Sequence, residues 1–139
     1  MKGVYGLLLK LPRDDEFEIG KLGPVEFKFG YYVYIGSALG SLKARINRHR
    51  KLKKNLRWHI DYLVAKAIVV EIIYAETTEK KECNIARGLS RYFNSIANFG
   101  SSDCGCQSHL FYFSSLDDLR RIVRGVLNEN GLSPKVFVG

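Results

Sequence analysis

The sequence predicts one small domain of the mixed α/β class. Its 139 residues are enough for a single hydrophobic core, and 46% of them are apolar, which excludes a disordered chain. Short runs rich in β-branched and aromatic residues alternate with stretches whose apolar residues recur at helical spacing. Two serines, Ser41 and Ser115, stand directly before such helical stretches, as N-cap residues do. We therefore expect residues 1–139 to form one domain that contains both strands and helices.

The N-terminal part of the chain predicts strands and a hairpin. Residues 3–11 are apolar, with β-branched and aromatic members, and predict the first strand. Residues 16–19 and 25–29 flank a Gly-Lys-Leu-Gly-Pro segment, which is typical of a hairpin loop. Residues 31–36 are very rich in aromatics and predict another strand, which ends in a turn that contains glycine and serine.

The middle of the chain predicts two helices and a strand. Behind the Ser41 cap, Leu42 and Ile46 begin an apolar stripe, while basic residues occupy the other faces of the helix. Residues 58–64 are apolar and predict a short helix. Residues 67–75, Ala-Ile-Val-Val-Glu-Ile-Ile-Tyr-Ala, form a β-branched run and predict a strand.

The C-terminal half predicts further helices and strands around a polar loop. Ser115 followed by Asp118 resembles a capping box and predicts a helix that runs to about Asn128, before Gly131. The other predicted elements are a helix over 79–94 that follows Thr78, a polar loop over 98–108, a short strand over 109–113 and a final strand over 135–138.

The charge of the chain is concentrated in one segment. The formal net charge is +8, yet residues 27–60 hold no Asp or Glu and contain nine of the 22 Lys and Arg residues. A localised excess of this kind is typical of a surface that binds the phosphate backbone of a nucleic acid. A solvated helix face, or a basic arm, is the alternative interpretation. The basic residues that we assign to nucleic-acid binding are Lys43, Arg48, Arg50, Lys51, Lys53, Lys54 and Arg57.

Cysteine usage and the apolar pattern favour a reduced, cytoplasmic protein. The three cysteines are an odd number, and Cys104 and Cys106 are separated by one residue, which makes a poor disulfide framework. The N-terminal apolar run is interrupted by Lys10 and Pro12 and has no cleavage site of a signal peptide. No apolar stretch approaches the ~20 residues that a membrane helix needs. We expect no membrane partner, and the oligomeric state stays open.

Two tyrosine tripeptides and a helical pair indicate a site. Gly3-Val4-Tyr5 opens the first predicted strand, and Tyr34-Ile35-Gly36 closes a later one. The helix that follows carries Arg45 and His49, whose spacing of four residues places both on one helical face. An arginine fork matches phosphate oxygens, and a histidine can carry a proton near neutral pH. Tyrosine is also common in strands, so each tripeptide alone indicates little.

In combination, the segments 3–5 and 34–38 and the Arg45–His49 pair resemble the GIY-YIG nuclease superfamily. Segments 58–63 and 99–113 resemble an archaeal-type branch of it. The resemblance implies a small, mostly antiparallel sheet flanked by helices, here with a hairpin inserted near the N-terminus. It also implies a Glu that binds a divalent metal from a helix after a hydrophobic strand, and Glu82 occupies that position. The implied catalytic residues are Tyr5, Tyr34, Arg45, His49, Glu82 and Asn94.

Two features depart from the family pattern. The first is the connection of 28 residues between Tyr5 and Tyr34, which is much longer than usual and makes Tyr31 and Tyr32 competitors for a role in the site. The second is a cysteine-rich segment. Its Cys104, Cys106 and His109, with Cys83 as a fourth ligand, can bind zinc tetrahedrally, although the C-x-C-x2-H spacing is not that of a common zinc knuckle. A substrate-facing loop and plain burial of the thiols are the alternatives. 

Two residues, His59 and Asp61, have structural rather than catalytic interpretations. His59 fits a half-buried histidine beside Trp58, and Asp61 either orients that histidine or pairs with a nearby base.

The resulting functional hypothesis is an endonuclease that cleaves DNA phosphodiester bonds with Mg²⁺ or Mn²⁺ held by Glu82. Arg45 neutralises charge on the scissile phosphate, Tyr5 orients or deprotonates the attacking water, and His49 or Tyr34 shares the transfer of the proton. The alternatives are a module of the same fold that binds nucleic acid without cleaving it, and a zinc-stabilised subunit of a repair complex.

Overall fold

The fold is an antiparallel sheet with helices on both faces. The computed structural model describes residues 2–38, 40–51, 56–101 and 104–138. The strands are β1 (Gly3–Leu11), β2 (Asp15–Glu18), β3 (Pro24–Phe27), β4 (Gly30–Ala38), β5 (Ile68–Glu76), β6 (Asn94–Ser95), β7 (Leu110–Phe113) and β8 (Lys135–Val136). The helices are α1 (Leu42–Arg50), α2 (His59–Val64), α3 (Glu82–Leu89) and α4 (Leu116–Glu129).

Six strands form one sheet in the order β6-β7-β4-β1-β5-β8, and β2 and β3 form a separate hairpin. The strand pairs of both sheets are antiparallel. This confirms the predicted mixed α/β class with a mostly antiparallel sheet. None of the helices in the described part of the chain has the length and apolarity that crossing a membrane requires.

β1 lies at the centre of the sheet and is buried on both faces. Its side chains alternate: Tyr5 and Leu7 pack against α1, α2 and the hairpin, whereas Val4 and Leu8 pack against α3 and α4. A strand covered on both faces has a near-continuous apolar sequence, which is why residues 3–11 show little polar alternation. The sheet therefore separates two hydrophobic cores.

The inserted hairpin leaves the pairing of β1 with β4 intact. Leu11 lies opposite Gly30, and the register continues without a shift to Gly3 opposite Ala38. The hairpin closes on itself through the stacked rings of Phe17 and Phe27, whose centroids are 4.7 Å apart. The long connection between the two tyrosine tripeptides thus adds a subdomain without separating their strands.

The predicted helix over 79–94 is wrong in its extent, because α3 spans only Glu82–Leu89. The hydroxyl of Thr77 accepts a hydrogen bond from the N–H of Glu79, and this local turn delays the start of the helix. At the other end, the chain turns so that Phe93 is buried and Asn94 pairs with Tyr112 at the sheet edge. Tertiary pairing there overrides the helical pattern.

A buried ion pair joins α1 to α2. The Arg48 guanidinium donates to both carboxylate oxygens of Asp61, at 2.8 and 2.9 Å, and the side chain of Asp61 is fully buried. The same carboxylate accepts the N–H groups of Arg57 and Trp58 at 2.9 and 2.8 Å. Burial opposes the charge of Asp61, but these donors outweigh it, so the pKa of this carboxyl lies below its usual value. Of the two roles predicted for Asp61, the structure shows the pairing with a base.

We expect Arg48→Met to destabilise the protein by about 3–5 kcal/mol at about pH 7, because it leaves a buried carboxylate without its guanidinium. In the parent, the stabilisation from Asp61 is complete above its unfolded-state pKa and is lost as the pH falls through the lower folded value. In the variant, burial acts without opposition from Arg48 and raises that pKa. The destabilisation should therefore shrink at about pH 4, as measured by urea unfolding at both pH values. 

Arg45→Met is the matched control, since it removes a guanidinium from the same helix that does not contact Asp61. The loss of unfolding free energy that it causes should be similar at both pH values. An Arg48→Met cost that does not change with pH would contradict the assignment of the ion pair.

Candidate functional site

A cleft of about 330 Å³ lies where β4 ends, between α1, the start of α3 and the segment before β7. It brings together three of the predicted catalytic residues, Tyr34, Arg45 and Glu82. The backbone of Gly36 and Ser37 forms part of its wall. Lys80 and His109 complete its charged and polar lining. The predicted convergence of an arginine, a tyrosine and a glutamate is therefore present in the fold.

Glu82 has one carboxylate oxygen that the described residues leave without a partner. It stands in the first turn of α3, and its side chain is 14% exposed. Its Oε1 atom lies 3.8 Å from Lys80 Nζ, whereas its Oε2 atom is buried and has no hydrogen-bond partner among the described residues. A buried acceptor without a partner costs about 1–3 kcal/mol, so such an atom at a cleft indicates a ligand. Carboxylate oxygen is the ligand type that Mg²⁺ and Mn²⁺ prefer.

Arg45 is held in place by the backbone and by an aromatic ring. Its Nη1 atom donates to the carbonyl oxygen of Ser37 at 2.9 Å, and its guanidinium lies 4.6 Å from the centroid of the Trp58 ring. Since a guanidinium carries five N–H donors, this arrangement fixes the group and leaves donors for an anion. Arg45 is half-buried and lines the cleft.

Tyr5 and His49 lie behind the cleft rather than on it. Their side chains are 2% and 1% exposed, and the Tyr5 hydroxyl hydrogen-bonds with His49 Nε2 at 2.7 Å. His49 belongs to the buried stripe of α1 with Leu42 and Ile46, whereas Arg45 stands at the edge of that stripe. The spacing of four residues placed Arg45 and His49 on one face correctly, but it could not indicate that this face turns into the core.

Burial also changes the acidity of Tyr5. It raises the pKa of this hydroxyl well above its ordinary value, and Tyr34 adds to the effect, while Arg45 and Arg48 oppose it only in part. The expectation that Tyr5 meets an attacking water directly is therefore corrected, because its hydroxyl is buried and its raised pKa makes it a poor base. The tyrosine that lines the cleft is Tyr34.

The two tyrosine tripeptides interlock through Gly36. Tyr5 pairs with Gly36 in the ladder of β1 and β4, and a Cβ added at Gly36 would overlap the hydroxyl and ring of Tyr5. Only glycine fits between this ring and the cleft. The pattern of the two tripeptides thus reflects close packing behind the site as well as chemistry on it.

The other tyrosine candidates and Asn94 do not line the cleft. The Tyr32 hydroxyl is committed to the carbonyl oxygen of Lys28 at 2.7 Å, and Tyr31 packs against the core on the α3 and α4 side. Asn94 is exposed in β6. Its predicted place on a helix after Glu82 is corrected, because the chain has already turned into the sheet edge.

A second cleft, of about 800 Å³, adjoins the first and shares Tyr34, Arg45 and Gly100 with it. Aromatic rings and bases line it, and the bases are Lys21, Arg45 and Arg57. Sequence reasoning missed Lys21, because only the folding of the hairpin carries its loop to this place. It missed Lys80 also, although its position two residues before Glu82 was a signal.

The predicted nucleic-acid-binding residues have different environments. Lys43, Arg50, Lys51 and Arg57 are exposed. Arg48 is in the ion pair with Asp61, and its role in phosphate binding stays a prediction. Lys53 and Lys54 lie outside the described residues. His59, as expected, is half-buried, and its Nδ1 accepts the N–H of Gly100 at 2.9 Å.

Four residues of the cysteine-rich region form a cluster that can bind a metal ion. One ligand atom from each of Cys83, Cys104, Cys106 and His109 lies within 4.8 Å of all the others. Cys104 and His109 also line the smaller cleft. The predicted convergence of these residues, which are up to 26 positions apart, is therefore present in the fold.

We expect Gly36→Ala to cost about 1–3 kcal/mol of unfolding free energy, because the new methyl group meets the Tyr5 ring in a packed core. Gly40→Ala is the matched control just after β4, where an added Cβ meets no atom within 4 Å. In a Tyr5→Leu background the colliding atoms are gone, and Gly36→Ala should cost less. A double-mutant cycle by urea unfolding checks this, and equal costs in both backgrounds would contradict the interlock.

Comparison with known proteins assigns the chain to a family. No curated protein and no solved structure shows a significant match. A family model described as Domain of unknown function DUF123 matches residues 4–132, which include both clefts and the cluster of Cys83, Cys104, Cys106 and His109. Because the match covers nearly the whole sequence, the chain belongs to the family Domain of unknown function DUF123.

Proposed function

We propose that this protein is a divalent-metal-dependent endonuclease that cleaves DNA phosphodiester bonds, with the chemistry of the GIY-YIG nucleases that its motifs resemble. The observation that carries the proposal is the buried, unpartnered Oε2 atom of Glu82 in the same cleft as Arg45 and Tyr34. A carboxylate, a fixed guanidinium and a phenol on one cleft are the groups that phosphodiester hydrolysis with one metal ion requires.

Glu82 is the residue that would hold Mg²⁺ or Mn²⁺. Its donor type fits these hard cations, which are commonly bound through one or two carboxylates with water in the other positions. The bound ion would supply Lewis-acid polarisation of the phosphate. The neighbouring Lys80 pairs only weakly with the other carboxylate oxygen, at 3.8 Å, and so leaves Oε2 available.

Arg45 would bind the scissile phosphate and stabilise the charge that develops on it. The contacts with Ser37 and Trp58 hold the guanidinium before any ligand arrives, so little reorganisation is needed at the moment of reaction. The Tyr34 hydroxyl would orient the attacking water. Tyr5 and His49 are positioning residues in this proposal, since their hydrogen bond joins α1 to β1 and thereby fixes the helix that carries Arg45.

The larger cleft and the exposed bases would hold the DNA backbone. Lys21, Arg45 and Arg57 line that cleft, and none of the residues assigned to its lining carries a carboxylate. Lys43 and Arg50 extend the positive surface along α1. Asp61, the one acid of α2, is buried and neutralised by Arg48, so it does not oppose a phosphate.

The alternative function is a nucleic-acid-binding module without cleavage. One observation favours it: Glu82 is the single carboxylate among the described residues that line the smaller cleft, so a metal ion would have one protein oxygen as its ligand. The same basic surface serves both functions. The effect of Glu82 on cleavage and on binding distinguishes them.

We expect Glu82→Gln to lower single-turnover cleavage of DNA by at least about a hundredfold with Mg²⁺ or Mn²⁺, because the metal ligand loses its charge. DNA affinity should change by less than about threefold, since a carboxylate does not attract phosphate. Glu79→Gln is the matched control, as this exposed glutamate pairs with Lys81 and does not line the cleft. It should cleave like the parent.

Cleavage by Glu82→Gln at the parent rate would refute the metal assignment. Absence of cleavage by the parent across duplex, branched and single-stranded DNA, with DNA binding retained, would favour the alternative function.

We expect DNA binding to weaken steeply as salt rises, with a log–log slope of about −0.9 for each phosphate contact on duplex DNA. The double variant Lys21→Gln, Arg57→Gln should flatten the slope by up to about 1.8. The control Arg121→Gln, Arg124→Gln removes the same charge from α4, on the opposite face of the sheet, and should leave the slope unchanged. Fluorescence anisotropy over a salt series measures both, and equal slopes would show that the larger cleft does not contact DNA.

A further inference from the structure

The cluster of Cys83, Cys104, Cys106 and His109 has the dimensions of a tetrahedral metal site. Cys83 comes from α3, and the other three come from the segment that leads into β7. His109 Nε2 lies 3.8 Å from the Sγ atom of Cys83 and 3.5 Å from that of Cys104. Zinc with Zn–S bonds of about 2.3 Å and Zn–N bonds of about 2.05 Å would place sulfur and nitrogen about 3.6 Å apart. The two distances from His109 are thus close to the spacing that one ion requires, and all four ligand atoms lie within 4.8 Å of one another.

The tautomer of His109 is set by the backbone. Its Nδ1 atom lies 3.2 Å from the carbonyl oxygen of Ile35, which can only accept, so Nδ1 carries the proton. Nε2 therefore presents its lone pair towards the thiols. A ligand histidine in a zinc site is commonly oriented by such a bond from its other nitrogen. The main chain of His109 is held as well, through Phe99 and Ile35 on either side.

The three thiols are crowded without being joined. Cys83, Cys104 and Cys106 are free cysteines. Three thiols and a buried imidazole in one place are poorly explained by packing alone. A bound cation would convert the thiols into thiolate ligands and so account for the crowding of these polar side chains.

We propose that Cys83, Cys104, Cys106 and His109 bind one structural Zn²⁺ ion. Thiolate and imidazole ligands in a Cys₃His set favour zinc over the hard cations proposed for Glu82. Four protein ligands fill a tetrahedron and leave no open position, which is the mark of a structural rather than a catalytic site. The proposal does not depend on nuclease activity.

Zinc at this place would rigidify the wall of the smaller cleft. Cys83 follows Glu82 directly at the start of α3, and Cys104 and His109 line the same cleft. The ion would therefore tie the segment that precedes β7 to the helix turn that carries the carboxylate. Glu82 would keep its position because its neighbour is a metal ligand.

The test uses the full chain, purified without chelator, and measures metal content by inductively coupled plasma mass spectrometry. We expect about one zinc per chain in the parent. Cys106→Ser should lose most of the zinc on dialysis, and His59→Gln, which changes a half-buried histidine outside the cluster, should retain it. A parent that carries no zinc, and binds none after removal and re-addition of metal, overturns the proposal. Full retention of zinc by Cys106→Ser overturns it also.

Cobalt substitution keeps the test decisive if Cys106→Ser fails to fold. The stripped parent titrated with Co²⁺ should show tetrahedral d–d absorption and thiolate-to-cobalt charge transfer, with an endpoint of about one ion per chain. His109→Cys should still bind cobalt and shift the d–d bands, because it replaces nitrogen with sulfur. Octahedral cobalt in the parent, or an unshifted spectrum in His109→Cys, contradicts the ligand set. Glu82→Gln should retain its zinc, so failure of the nuclease proposal would leave this result unaffected.

Discussion

Burial of β1 on both faces is the constraint on which the rest of the structure depends. A strand in this position must be flanked by two strands and covered by two layers, and β4, β5 and the four helices meet these needs. Among the described residues, the sheet lies between the two cores. The smaller cleft opens where β4 ends and this separation stops, so a side chain from α1 and one from α3 can approach each other there. Arg45 and Glu82 come from opposite faces of the sheet and meet for this reason.

Local signals were enough for most of the secondary structure. Ser41 and Ser115 cap their helices through hydrogen bonds from the N–H groups of Ala44 and Asp118, as the sequence indicated. The β-branched run of β5 and the hairpin were also visible, because turn residues and side-chain shape are properties of short segments. The end of α3 was not, since Phe93 and Asn94 leave the helix to join a core and a strand that lie elsewhere in the chain.

The sequence indicated which residues belong to the candidate site better than it indicated which of them are exposed on the cleft and which are buried behind it. Motif order grouped Tyr34, Arg45 and Glu82, and these three residues line one cleft. It did not distinguish residues on the cleft from those behind it, because the exposure of Tyr5 and His49 depends on how α1 rotates against the sheet. The sequence was equally unable to indicate the partner of Arg48. This residue belongs to a basic run, yet it neutralises a buried carboxylate 13 residues away. Pairing across the fold decides which bases of a run remain for a ligand.

The hairpin between β1 and β4 has an evolutionary consequence. Leu11 and Gly30 face each other in the sheet, so the 18 residues between them form an excursion whose two ends the ladder already joins. The entropic cost of lengthening such an excursion grows only with the logarithm of its length. A lineage that keeps Ile19 and Phe27 in the core can therefore extend or recharge the exposed part of this segment, including the lysine that it brings to the larger cleft, without disturbing the register of the strands beneath. Ligand preference and the chemistry of the cleft can thus diverge independently.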